Sequence, residues 1–300
     1  MKSNVKYVNE IKVNSVMTKT RIPLGGYAVN PYVGCSHACK YCYASFMKRF
    51  TGHKEPWGEF IDVKYWKEIS NPKKYDGERI VIGTVTDGYN ELEEKYKRTR
   101  TLLEELKESN SILTICTKSD LVVRDLDLLK QMKNVTVSWS INTLDEEFKN
   151  DMDSAPSIEK RINAMKTVYD AGIRTVCFIS PIFPGITNIK DIIEKVKDKC
   201  DFIWLENLNL RGCFKSEILN YISEKYPNLV SLYDNIYNKK DNSYWKELEN
   251  EIQEYAKENE MNFVDNKLPD GHSKKGYPSI INYLYHEEVR GSDNKGTRTK

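Results

Sequence analysis

Three cysteines carry the first chemistry in this chain. The run Gly34-Cys35-Ser-His-Ala-Cys39-Lys-Tyr-Cys42-Tyr43 spaces its thiols as C-x3-C-x2-C. A four-iron cluster offers one ligand position per iron, and a triplet of thiolates leaves one iron open to a small molecule. An open iron makes a catalyst, whereas a fully ligated cluster only carries electrons. The alternative is a structural zinc completed by His37 or His53. Zinc sites commonly pair one C-x2-C with a second, and the sequence holds no second pair, so the spacing favours the open iron–sulfur cluster.

The elements that must position such a loop follow from residue 79 onward. Short apolar runs at Arg79–Val85, Ser111–Thr117, Val135–Ile141, Thr175–Ser180 and Phe202–Glu206 read as strands. Amphipathic stretches over Leu92–Leu106, Leu121–Met132, Ser157–Ala171 and Ile189–Lys199 read as the helices between them. With a first strand near Tyr27–Val33 this makes six βα units around a parallel sheet, an α/β partial (β/α)6 TIM-like barrel. Polar residues just after each strand then gather on one face: Cys35, Thr86, Asp87, Lys118, Ser119, Ser140, Asn142, Pro181, Glu206 and Asn207 among them. Past residue 215 the alternation fades. Helices are expected at Ser216–Lys225 and Tyr244–Asn259, and a short strand at Asn262–Asp265. The expected organisation is a core over 1–215 with an N-terminal lead-in, a mostly helical extension over 216–289, and a mobile tail over 290–300.

Composition sets the remaining bounds. Three hundred residues with 39% hydrophobic and 30% charged content can bury a sizeable core beneath a well-solvated surface. A net charge of +2 neither demands nor excludes nucleic acid. No apolar run is long enough to span a membrane, and the N-terminus lacks the apolar core of a signal peptide. A cytoplasmic protein with reduced thiols is expected, and seven cysteines, an odd number, fit a disulfide framework poorly. Lys48-Arg49 and the group Lys95, Lys97, Arg98 and Arg100 are the most basic patches, read here as solvated helix faces.

The segment Asn30-Pro-Tyr-Val-Gly-Cys-Ser-His-Ala-Cys-Lys-Tyr-Cys-Tyr-Ala44 resembles the cluster loop of radical S-adenosylmethionine (SAM) enzymes, in particular their spore photoproduct lyase-like branch. Thr84-Val-Thr-Asp87, Thr117-Lys118-Ser119, Ser138-Trp-Ser-Ile-Asn-Thr-Leu-Asp145, Pro156 with Arg161, and Pro181–Asn188 resemble further segments of that branch, over about residues 15–215. The overall make-up is also similar to proteins called radical SAM mobile pair protein B. The resemblance implies a [4Fe-4S] cluster on Cys35, Cys39 and Cys42, with SAM on the fourth iron. It implies reductive cleavage of SAM and hydrogen abstraction by a 5′-deoxyadenosyl radical, the protein's part being to position and shield that chemistry. Lys118 would meet the methionyl carboxylate; Thr86 and Asp87 the amino-acid part or ribose; Ser140 and Asn142 the ribose; Tyr41 and Pro181 the adenine. For each there is a plainer reading, such as a surface lysine, turn capping, packing or a rigid turn.

One departure stands out. The family's spore photoproduct lyase carries a hydrogen-donating cysteine beside the second-strand motif, and the corresponding residue here is Thr84. That puts thymine-dimer repair in doubt. Cys116, which shares strand parity with Lys118, and Cys213, after the sixth strand, are the substitute donors, unless both are incidental. Tyr43 is a candidate for radical transfer or for packing over the cluster. Cys177 and Cys200 fit no ligand spacing. The expected partners are an external one-electron reductant of flavodoxin or ferredoxin type, a companion radical SAM protein and a nucleic-acid substrate, with no membrane. The rival readings are a peptide- or protein-modifying enzyme and a non-catalytic iron–sulfur redox sensor.

Overall fold

The computed structural model describes residues 4–20, 26–210, 212, 214–265 and 277–284. Five short strands come first: β1 (Tyr7–Lys12), β2 (Met17–Lys19), β3 (Tyr27–Val29), β4 (Tyr32–Val33) and β5 (Phe60–Tyr65). The alternating part follows with β6 (Arg79–Ile82), α1 (Glu93–Tyr96), α2 (Arg98–Leu106), β7 (Ile112–Thr117), α3 (Leu126–Leu129) and β8 (Val135–Ser140). It continues through α4 (Glu146–Met152), α5 (Ile158–Asp170), β9 (Arg174–Ile182), α6 (Ile189–Val196) and β10 (Phe202–Asn207). The chain then runs through α7 (Phe214–Lys225), α8 (Val230–Tyr237), α9 (Ser243–Glu258), β11 (Phe263–Asp265) and β12 (Ser279–Asn282).

The main sheet has the order β11-β12-β10-β9-β8-β7-β6-β3-β2. Its neighbours are all parallel except β2 against β3. The six expected strands are β3 and β6 to β10, in an α/β arrangement consistent with a partial barrel. No pairing among the described residues joins its two edges. The C-terminal part is less purely helical than expected, because β12 adds in parallel to β10 and β11 to β12. The tail at 290–300 lies outside the described residues.

Several boundaries differ, each for a local reason. The expected strand Tyr27–Val33 is interrupted at Asn30-Pro31. Its second half, β4, leaves the main sheet and pairs with β5, which also pairs with β1. The helix expected over Leu92–Leu106 breaks at Lys97, whose φ of +51° is left-handed. Leu121–Asp125 is a 3-10 turn rather than the start of a longer helix; its Asp125 is fully buried and accepts from Tyr89, Arg100 and Arg124. Helix α5 begins where expected because Ser157 caps it, its side chain accepting from the Lys160 N–H.

Strand alternation divides the sheet into two faces. Leu113, Ile115, Val137, Trp139, Cys177, Ile179, Ile203, Leu205 and Ile280 belong to one core with helical residues such as Leu102, Ile162, Val168, Ile192 and Ile252. Removing one such side chain costs about 2–5 kcal/mol for an Ile or Leu cut to Ala. The opposite face is split. Its β9–β12 half is filled by Val176, Phe202, Trp204 and Ile281, with Phe178 and Tyr283 against them. Its β7–β8 half carries Thr114, Cys116, Thr136, Ser138 and Ser140, with Cys116 in register with Ser138.

Candidate active site

The cysteine loop leaves β4 and meets the residues that follow β6, β7 and α4. Gly34 turns it out of the strand at φ +84°, and a Cβ there would lie 2.1 Å from the Phe60 carbonyl oxygen. Gly58, at φ +105°, closes on Ala38 from the other side, where a Cβ would come within 2.6 Å of the Ala38 Cβ. Asn30 ties the loop's entry to the β6 turn. Its side-chain oxygen accepts from the Val85 and Thr86 N–H groups at 3.1 and 3.3 Å, and its amide donates to Thr84 Oγ1 at 2.9 Å. Thr86 Oγ1 donates to the Gly34 carbonyl at 2.9 Å.

Asp87 is the hub of this side. Its carboxylate accepts from His37 Nε2 at 2.9 Å, Thr117 Oγ1 at 2.8 Å, Lys118 N–H at 2.7 Å and Tyr89 N–H at 2.8 Å. An ionised carboxylate only accepts, so the His37 proton sits on Nε2. Burial opposes charge at Asp87, but His37 and the backbone donors outweigh it and hold the carboxyl below its usual range. Asp87 and Thr86, expected to touch a cofactor, each also hold the loop, Asp87 through His37 and Thr86 through the Gly34 carbonyl.

The loop's far end rests on a second buried carboxylate. Tyr41 donates to Asp153 Oδ2 at 3.1 Å, and Arg161 Nη2 donates to Asp153 Oδ1 at 2.8 Å. The Asp153 and Arg161 side chains are each 1% exposed, and Lys149 Nζ lies 3.6 Å from the same carboxylate. Burial opposes charge here too; Arg161, Lys118 and Lys149 overcome it and depress the Asp153 carboxyl. The backbone adds Lys40 N–H to Met152 carbonyl at 2.9 Å and Ser154 N–H to His37 carbonyl at 2.8 Å. The Lys118 ammonium lies 5.3 Å from the Tyr41 ring centroid. It is close enough to Cys39 and Cys42 to favour their thiolates.

All three thiols are half-buried. Burial pushes Cys35 up to about 12, with Asp87 next among the causes and Cys42 adding to it. Cys39 rises through burial, Asp153 and its fellow thiols, and Cys42 rises through burial. Thiols so placed become good ligands only against a cationic centre, as iron provides. A single metal ion fits less well. Among the described residues no three His, Cys, Asp or Glu side chains converge to hold one ion. His37 is committed to Asp87, and His53 is committed to Glu55 and Asp62. The residues present fit a cluster that spreads its sulfurs over different irons, and the zinc alternative loses its fourth ligand.

The other expected residues fall around this loop or away from it. Strand β8 ends at Ser140, so Asn142 lies beyond the strand; its amide donates to the Pro181 carbonyl at 3.2 Å. The Ser140 carbonyl accepts from Arg161 Nη1 at 3.2 Å. Tyr43 is 61% exposed and donates to the Thr84 carbonyl, so it does not cover the loop; Tyr41 has the buried position instead. Cys116 backs onto Gly83, where an added Cβ would lie 3.5 Å from its own Cβ. Burial, then Asp87 and Glu206, push its thiol up to about 12. Cys213 lies outside the described residues, and Cys177 and Cys200 are packed in the helix-facing core.

Sequence reasoning did not single out Asn30, His37 as an anchor, Asp153, or Trp57. The indole N–H of Trp57 is buried and meets no acceptor at hydrogen-bond geometry, yet it faces Cys42 closely enough to favour that thiolate. Ser180 donates to Glu206 at 2.6 Å, joining β9 to β10. The Asn-Pro pair before the loop was the one local signal for Asn30.

Comparison with known proteins places this geometry. The chain is 36% identical over 236 residues to an uncharacterized protein of Methanocaldococcus jannaschii, covering 78% of this chain and 89% of that one. It is 26% identical over 243 residues to an uncharacterized protein of Mycobacterium tuberculosis, covering 75% and 71%. Among solved structures, spore photoproduct lyase complexed with dinucleoside spore photoproduct aligns with a TM-score of 0.54 at 16% identity, over 73% of this chain and 66% of that chain. Streptococcus suis SuiB bound to precursor peptide SuiA aligns with a TM-score of 0.52 at 15% identity, over 91% of this chain and 52% of that chain. Residues 29–197 match the Radical SAM superfamily. The chain therefore belongs to the radical SAM superfamily, whose enzymes use a [4Fe-4S] cluster and S-adenosylmethionine.

Proposed function

We propose that Cys35, Cys39 and Cys42 hold three irons of the cluster and leave the fourth for SAM, and that the enzyme abstracts a hydrogen atom from a nucleic-acid substrate. The observation that carries the reading is the loop itself: three half-buried thiols fixed between Asp87 and Asp153, with the Lys118 ammonium beside them. When bound, the reduced cluster and SAM supply a 5′-deoxyadenosyl radical. The protein's residues do the rest. Lys118 offers a point charge for the methionyl carboxylate. Ser140, Asn142 and Pro181 form the neighbouring wall for ribose and adenine, and Tyr41 closes the loop from below.

The β7–β8 half of the sheet face opposite the helices receives the substrate. Ser138 Oγ, on the β7–β8 half of that face, is buried without a hydrogen-bond partner and suits a ligand with hydrogen-bonding edges. Thr84 cannot return a hydrogen atom as a thiol does. Cys116, against Gly83, would be the donor, and its raised pKa, which keeps it as S–H at neutral pH, supports that reading. Donation leaves a thiyl radical on sulfur and a quenched product. Nucleic acid is favoured by the likeness to an enzyme complexed with dinucleoside spore photoproduct; a peptide is the second reading, from the likeness to SuiB bound to a precursor peptide, over 91% of this chain. An external one-electron carrier and a companion radical SAM protein are the proposed partners. No helix among the described residues is long and apolar enough to cross a membrane.

Anaerobic reconstitution, then SAM and a strong reductant, should yield 5′-deoxyadenosine. A fully loaded protein that yields none sinks the reading. Deuterium moving into 5′-deoxyadenosine from an oligonucleotide, and not from peptides, would establish the substrate class; the reverse would select the peptide reading.

A further inference from the structure

The segment directly after the last cysteine is built unlike the loop before it. Cys42 caps the 3-10 helix Tyr43–Phe50, its carbonyl accepting from the Ser45 N–H at 3.2 Å. Three large apolar side chains of this eight-residue helix face solvent: Tyr43 at 61%, Phe46 at 43% and Phe50 at 67% exposure. Leaving apolar area in water forgoes about 25 cal/mol per Å2, so a contiguous group of such side chains marks a surface that something covers. The Arg49 guanidinium lies over both phenyl rings, 5.4 Å from the Phe46 centroid and 4.7 Å from that of Phe50. Lys48 adjoins it, its ammonium on the Lys54 carbonyl. The patch is thus more than a solvated helix face.

Charge defines the partner. Residues 11–54 contain seven Lys and Arg and no Asp or Glu, although the chain has 44 acidic residues. The Tyr43–Phe50 helix itself carries Lys48 and Arg49 and no carboxylate, and such a face attracts an acidic surface. We propose that the Phe46–Arg49–Phe50 face of this helix docks the acidic one-electron carrier that reduces the cluster. This rests on the cluster assignment above.

Three features favour a carrier protein over a nucleic acid at this face. The helix is short, about 16 Å at 2.0 Å per residue, which suits the small interfaces of transient electron-transfer encounters. Aromatic side chains around an Arg are the composition of interface hot spots. A strand of nucleic acid would instead need a basic track to follow its backbone. The helix also starts at Cys42, so a carrier seated on it meets the shortest covalent route to the cluster. One electron leaves the carrier and enters the cluster; no bond or proton is exchanged.

The test uses the reconstituted full chain and stopped-flow reduction of the cluster, followed by its absorbance. Reduced flavodoxin, an acidic carrier, is compared with a reduced viologen that needs no docking surface. Arg49→Glu should slow reduction by flavodoxin about tenfold or more and flatten its dependence on salt. Phe50→Ala should slow it less, and neither variant should be slowed with the viologen. Wild-type rates with flavodoxin in both variants would overturn the proposal, as would equal slowing by both reductants. So would a loss of oligonucleotide affinity in these variants without any change in flavodoxin rate. A wild-type chain that takes up no iron and sulfide would overturn the cluster assignment and this inference together; a loaded wild type with undocked kinetics overturns this inference alone.

Discussion

Residues 35–42 and residues 43–50 are consecutive in sequence and opposite in construction. The first segment is pinned by His37 on Asp87, Tyr41 on Asp153 and two backbone bonds to the end of α4. The second carries its aromatic side chains into solvent. A redox cluster needs ligands that do not move and a door through which electrons arrive. The difference teaches that adjacent stretches can divide the two needs proposed for them, one held by buried charge and one left uncovered.

Breaking the pinned segment should have the largest effects. Cys39→Ala should abolish cluster uptake and 5′-deoxyadenosine formation, read as iron and sulfide per chain, while urea unfolding of the apoprotein stays near wild type. Asp153→Asn strands the buried Arg161 and should cost about 3–5 kcal/mol in the same unfolding experiment. A stability unchanged by this substitution would mean that the loop is not held from α4.

The same contrast has a pH signature. Asp87 and Asp153 are both depressed in the folded protein, so the unfolded chain binds their protons first. Their contribution is complete above about pH 4, the unfolded carboxylate value, and is lost as pH falls through their lower native values. Urea midpoints of wild type should therefore fall below about pH 4, and Asp153→Asn should fall less over that range. A smaller effect comes from Trp57→Phe, which removes the N–H facing Cys42. Hydrogen bonds to cluster sulfurs set the potential, so the midpoint should become more negative in spectroelectrochemistry, by 59 mV for each tenfold change in the equilibrium. The smallest effect is expected on the open segment: Phe50→Ala should leave folding stability within about 0.5 kcal/mol.

Much of the fold was legible because the parallel strands are buried on the helix side as continuous apolar runs, and the helices between them keep their period. Five of the six core strands, β6 to β10, stood near the expected places, and of the first only Tyr27–Val29 joins the main sheet. The C-terminal strand β12 was not foreseen, because Ser279–Asn282 is four residues long and gains its place only by pairing with β10. The helix expected at Leu121 was cut short because Asp125 is drawn inside by Tyr89 and Arg100, contacts from residues distant in the sequence. In the site, the cysteines and Lys118 could be named from spacing and strand ends. Tyr41 and Tyr43 could not be told apart, since both flank Cys42 and only packing turns one in and the other out.

The sequence by itself determined the C-x3-C-x2-C triplet, the strand–helix alternation and the absence of a thiol at Thr84, because these are matters of residue type and local period. Tertiary structure decided what those residues do to one another. It made Asp87 and Asp153 anchors of the loop, set Cys116 against Gly83, and left Phe46 and Phe50 uncovered. The reason is physical: burial and long-range hydrogen bonding fix the charge state and direction of a side chain, and neither can be read from its neighbours in the chain.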